Sequence, residues 1–115
     1  MTPRNSRRPA PPLDCPLDAC LKFLSSAWTA RIIWFLGQGP RRFGDLRRDL
    51  GSVSTKVLTD RLRTMETQGV IARTTLPTTP VQVEYSLTPL GREFEPVLAA
   101  MTKVAERLRD KYGVR

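Results

Sequence analysis

The chain has no histidine and only two cysteines, Cys15 and Cys20. Without histidine, the commonest general base and the commonest metal ligand are both missing. Two thiols alone do not complete an ordinary structural zinc site, and they are too few for a disulfide scaffold. No nucleophile–base constellation stands out, so an enzyme is the least favoured class, and no cofactor is expected. Nowhere do apolar residues run to the roughly 18 in a row that a membrane span needs. Met1 to Pro12 carries charge without an apolar core, which excludes a secretory signal there and gives a cytoplasmic expectation. The scarce charge is the negative one: 11 Asp and Glu stand against 19 Lys and Arg, a net charge of +8. That excess favours a polyanionic partner, nucleic acid first. A protein that is merely basic is the competing reading.

What is present fits one domain, since 115 residues leave little room for a second one or for a deep catalytic pocket. Residues 1–13 hold Arg4, Arg7, Arg8 and four of the ten prolines, the composition of a disordered basic arm. Residues 14–115 form the folded domain in this reading. Pro16 suits the first position of a helix, with Asp14 or Cys15 as its cap. Leu17, Cys20, Leu21 and Leu24 then give a stripe expected to be buried. Ser25 and Ser26 break that helix and offer the next cap. Trp28, Ile32, Phe35 and Leu36 repeat the spacing until Gly37-Gln38-Gly39-Pro40 stops it.

Arg41-Arg42-Phe43 reads as a short extended piece, followed by a helix with Phe43, Leu46 and Leu50 inward and Arg47 and Arg48 outward. Gly51-Ser52-Val53 is a tight turn, and Ser54 is a good cap for the next helix. From there Leu58, Leu62 and Met65 mark an apolar stripe, while Thr55, Lys56, Thr59 and Arg63 make the opposite face rich in donors. Gly69 ends this helix. Helix, short glycine-containing turn, helix is the helix-turn-helix arrangement. Val70 to Leu76 and Val81 to Leu87 are strand-like and flank Pro77-Thr78-Thr79-Pro80, so they form a two-stranded hairpin, the wing. Thr88-Pro89 restarts helix, and Phe94, Val97, Leu98, Met101, Val104, Ala105, Leu108 and Tyr112 keep helical spacing to the end. Pro96 either kinks that helix or marks a late start. The whole is a mainly α (α+β) winged helix-turn-helix.

In such a fold the second helix enters the major groove of double-stranded DNA and its N-terminal residues meet base edges. The candidates are Ser54, Thr55, Lys56, Thr59, Asp60 and Arg63. Lys56 and Arg63 can donate to guanine or to phosphate, and threonine offers a hydroxyl to bases and a methyl to thymine. Asp60 can accept from cytosine or pair with Lys56 at i, i+4. Arg61 is ambiguous between core, phosphate and carboxylate. Arg41, Arg42, Arg47 and Arg48 make a second basic group suited to clamping phosphates. On the wing, Thr78, Thr79 and Gln82 are polar but uncharged, so a minor-groove contact there lacks an arginine.

Several segments resemble the HxlR-type regulators, a MarR-like branch of bacterial winged helix-turn-helix transcription factors. They are Cys15-Pro16-Leu17, Trp28, Gly39 to Arg47, the Ser54 to Leu62 helix, and Val83-Glu84-Tyr85-Ser86-Leu87-Thr88-Pro89-Leu90-Gly91. Together they cover roughly Cys15 to Ala105. The resemblance implies a homodimer with the first and last helices at the interface. It also implies a repressor whose two recognition helices sit on an inverted-repeat operator. The apolar positions of the last helix exceed what so small a core can use, which agrees with a dimer. Two departures stand out. Gln82 occupies a position where many relatives carry arginine, and Ser25-Ser26-Ala27 precedes Trp28 where many have Gly-Gly-Lys.

Several members of this family sense oxidants or electrophiles through a cysteine at the Cys15 position, which implies a small-molecule or oxidant effector here. A thiol at a helix N-terminus is more reactive than a free one. The other reading of Cys15 is a small structural side chain. Cys20 lies on the apolar stripe, and the two thiols are poorly placed for a bond within one helix. Two other functions remain open on sequence alone. One is a nonspecific architectural DNA-binding protein, which would show a steep salt dependence and little sequence preference. The other is a winged helix that binds protein through its long last helix and no longer binds DNA.

Overall fold

The computed structural model describes residues 16–114. The basic arm expected over 1–13, the Asp14 or Cys15 cap and the Cys15 thiol lie outside the described residues. The elements run α1 (Pro16–Leu24), α2 (Thr29–Leu36), β1 (Arg41–Arg42), α3 (Phe43–Leu50), α4 (Thr55–Thr67), β2 (Ile71–Leu76), β3 (Gln82–Leu87), α5 (Pro89–Arg92) and α6 (Glu95–Tyr112). Among the described residues no helix is long and apolar enough to cross a membrane.

The core is built where helical stripes and strand ends converge. Ile32, Ile33 and Leu36 of α2 meet Leu46 of α3, then Leu58, Leu62 and Met65 of α4, Ile71 and Leu87 of the sheet, and Leu98 of α6. The α4 stripe read from the sequence is thus the face that docks. Gly69, at φ 78°, closes α4 by reversing the chain, so that the Val70 amide donates to the Met65 carbonyl at 3.0 Å.

The sheet has three strands in the order β1-β3-β2, all antiparallel, where a two-stranded hairpin was expected. β2 and β3 pair from Ile71 opposite Leu87 to Leu76 opposite Gln82. On the other edge of β3, Arg41 lies opposite Tyr85 and Arg42 opposite Glu84. A strand of two residues is too short to show alternation in the sequence. Phe43 already belongs to α3, not to the extended piece.

Three other local expectations change. Trp28 does not open α2 as a helical residue: it precedes the helix in the left-handed conformation, φ 68° and ψ −11°. Its half-buried ring packs against the core, and the Arg31 guanidinium lies 5.3 Å from the ring centre. Ser25 and Ser26 do not cap α2: both hydroxyls donate backward to the Lys22 carbonyl and close α1. Pro96 is a late start. Helix breaks between Arg92 and Glu95, and Pro96 sits in the first turn of α6, where its missing N–H has no bond to lose.

The largest difference concerns α1. Its stripe was expected to be buried, yet the helix buries no residue: Leu17 is 64% exposed, Leu21 is exposed, and so is Cys20. The helix is held by Phe23 and Leu24, half-buried against the core, and the Phe23 ring lies tilted on that of Phe94 at 4.8 Å. Every residue of α6 beyond Leu98 is also exposed, Met101, Val104 and Leu108 included. Among the described residues nothing covers either stripe. Leu17, Cys20 and Leu21 of α1 share one groove with Val97 and Met101 of α6.

Candidate nucleic-acid interface

α4 begins where Ser54 stops the extended turn. The Ser54 Oγ accepts from the Val57 amide at 3.1 Å, satisfying one of the free donors of the first turn. No acidic residue stands in that turn, so the positive end of the helix dipole is not neutralised by the chain itself. Thr55 and Lys56 are exposed beside it. Lys56 Nζ lies 3.4 Å from Asp60 Oδ2, a solvated i, i+4 pair of the kind that contributes little to stability and opens readily. Arg63 is exposed one turn further on and makes no ion pair among the described residues. Thr59 is half-buried at the edge of this face, and Arg61 is half-buried as well.

The second basic group has structural partners. Arg41 Nε is 3.4 Å from Asp49 Oδ2, tying β1 to α3. That Asp49 oxygen is buried and makes no well-formed hydrogen bond, so the tie is an ion pair of loose geometry. Arg48 pairs with Asp45 one turn away on α3. Arg42 is exposed and precedes α3 without a side-chain capping bond. Arg47 is the informative case. Its Nε donates to the Val53 carbonyl at 3.2 Å, so it braces the turn between α3 and α4 while the residue stays exposed. A side chain named for phosphate contact thereby also holds the turn that aims α4.

On the wing, Thr79 is exposed at the tip, and Thr78 Oγ1 donates to the Pro80 carbonyl at 2.8 Å. Gln82 is half-buried at the start of β3, with its Oε1 buried and without a hydrogen-bond partner among the described residues. Sequence reasoning missed two residues. Arg73 on β2 is exposed and gives the wing the arginine that Thr78, Thr79 and Gln82 lack. Val57, in the first turn of α4, is an exposed apolar side chain on a face otherwise polar. Strand alternation puts Arg73 on the same face as buried Ile71, so the period alone points it inward; it is exposed because β2 runs beyond the core from there on.

The junction behind the wing explains the Leu87-Thr88-Pro89-Leu90-Gly91 run. Thr88 Oγ1 donates to the Gly69 carbonyl at 2.6 Å and accepts from the Gly91 amide at 3.1 Å. One hydroxyl thus joins the end of α4 to the start of α5 and fixes the hairpin against α4.

The surface so built is a capped helix N-terminus with donors and cations on its outward face, backed by a braced turn and flanked by a hairpin. That is what a major-groove reader requires. The comparisons agree. The family model described as HxlR-like helix-turn-helix matches residues 23–112. An uncharacterised HTH-type transcriptional regulator of Synechocystis sp. is 46% identical over 90 residues, spanning 78% of this chain and 67% of the relative. The crystal structure of a MarR-family regulator from Porphyromonas gingivalis W83 superposes with a TM-score of 0.76 at 30% identity, covering 90% of this chain and 99% of the other. The oxidised form of the redox regulator HypR superposes with a TM-score of 0.75 at 33% identity, covering 84% of this chain and 99% of the other. The chain belongs to the HxlR-like helix-turn-helix family and is a transcriptional regulator with a winged helix-turn-helix DNA-binding fold.

Proposed function

We propose that the protein is a homodimeric, sequence-specific repressor that reads an inverted-repeat operator and responds to oxidants or electrophiles through Cys15. One observation carries the reading. The described residues of one protomer present a capped α4 with an exposed polar face, and leave an apolar stripe on α1 and α6 in water. Pairing two copies through Leu17, Leu21, Met101, Val104 and Leu108 removes that stripe from water and presents two α4 helices to one duplex. In a dimer of this kind the half-sites lie about 34–36 Å apart, one turn of DNA. Thr55, Lys56, Asp60 and Arg63 are the base-reading candidates, with Ser54 and Thr59 at the margin. Arg41, Arg42 and Arg47 face phosphates in this reading, and Thr78, Thr79 and Gln82 belong to the wing. Effector response is supported by the name of the HypR neighbour as a redox regulator and by Cys15 preceding α1, a helix assigned here to the dimer contact.

The test is a binding selection on random duplex DNA with the full chain, run with and without a thiol oxidant or a quinone. Enrichment of an inverted repeat, lost under oxidant and retained by Cys15→Ser, is the expected result. Absence of any enriched sequence points to the architectural protein instead. Enrichment unaffected by both agents removes the sensing half of the proposal.

A further inference from the structure

Val57 is an apolar side chain left partly in water in the first turn of α4. Successive residues of α4 turn by about 100°. Leu58, Leu62 and Met65 mark the inward side and are buried, so Lys56, Asp60 and Arg63 point away from the core. Val57 stands on the flank of that outward face, one turn before Asp60 and Arg61, and is 41% exposed. About two fifths of its surface thus stays open to solvent, beside the polar face. Its position is the third of the helix, where a carboxylate would favour the dipole and close a capping box with Ser54, and no acidic residue stands anywhere in the first turn. Valine is also a weaker helix former than most residues. Helix initiation does not select this side chain, and packing leaves a large part of it in water.

Asp60, three residues on, is its neighbour on the helix surface, and Lys56 precedes it in the chain; the proposed function assigns both to base edges. The first turn of the second helix is the part that penetrates the major groove. The one apolar feature presented in that groove is the C5-methyl group of thymine. We infer that Val57 reads a thymine in each half-site through contact with its methyl group, adding a specificity determinant to the polar ones. This inference rests on operator recognition by α4. It is lost alone if an operator exists but its thymine methyls are not felt.

Equilibrium binding of the full chain to the duplex enriched by selection tests it. Each thymine of the half-site is replaced in turn by deoxyuridine, which removes the methyl group and nothing else. Val57→Ala is measured on the same duplexes. One thymine position should lower wild-type affinity by about fourfold on replacement, the effect of one buried methyl. Val57→Ala should bind the parent duplex about as weakly, and should be indifferent to uracil at that position. An enriched half-site without thymine overturns the inference. So does equal affinity for every uracil duplex, and so does a Val57→Ala loss that is the same on thymine and uracil. If selection enriches no sequence at all, operator recognition fails and this inference fails with it.

Discussion

The backbone carbonyl oxygen of Val70 occupies the place where a side chain on Gly91 would begin: an added Cβ would come within 2.2 Å of it. The obstacle is backbone and the clashing atom is a Cβ, so no rotamer change can relieve it. Gly91→Ala should therefore destabilise the fold by about 1–3 kcal/mol or more, the range for overpacked sites. Gly44→Ala is the control, because a Cβ there meets only the end of Arg48 at 3.8 Å. Chemical denaturation of the two variants should separate them clearly, with Gly44→Ala at or slightly above the parent.

A second prediction concerns the start of the recognition helix. Ser54→Ala leaves the Val57 amide without its side-chain acceptor and should cost about 1 kcal/mol. Ser54→Asp should restore the cap and much of the stability. It should still bind DNA less well than the parent, because it adds a negative charge beside phosphates. Thermal melts and binding titrations on one preparation give both readouts.

Arg47 predicts a separable pair of effects. Arg47→Lys keeps the positive charge but loses the planar Nε–H that reaches Val53. Arg47→Ala loses both. The slope of log affinity against log salt should stay near the parent value in Arg47→Lys and fall in magnitude by about one in Arg47→Ala. Both variants should melt earlier than the parent. Equal slopes in all three proteins would leave Arg47 with the brace alone.

Met101→Arg tests the uncovered stripe. Met101 is 56% exposed in the protomer, so a charge there should leave the fold of one chain intact. In the proposed dimer it faces the partner and should drive the protein to a monomer by sedimentation. Operator affinity should drop by an order of magnitude or more, because the two α4 helices then bind independently.

Much of this was legible in the sequence, for physical reasons that differ by element. The α4 stripe was readable because Leu58, Leu62 and Met65 are buried within one chain, where periodicity and burial coincide. The α1 stripe was readable as periodicity but not as burial, since periodicity records that a face is apolar and not whether it is covered. β1 was invisible as a strand, because Arg41 and Arg42 are ordered by Tyr85 and Glu84, more than forty residues away. The site divides the same way. Ser54 and the Lys56–Asp60 pair follow from local spacing. The Arg47 brace, the Arg41–Asp49 tie and the exposure of Val57 and Arg73 depend on how α3, α4 and the sheet are set against each other.

The central claim is that two α4 helices read sequence together. Its most direct test is the ratio of affinities of the full chain for its selected inverted repeat and for a scrambled duplex of equal length, at one salt concentration near physiological. A ratio of about 10³ or more is predicted, collapsing in Met101→Arg. A ratio near one, with a steep salt dependence on both duplexes, would contradict it.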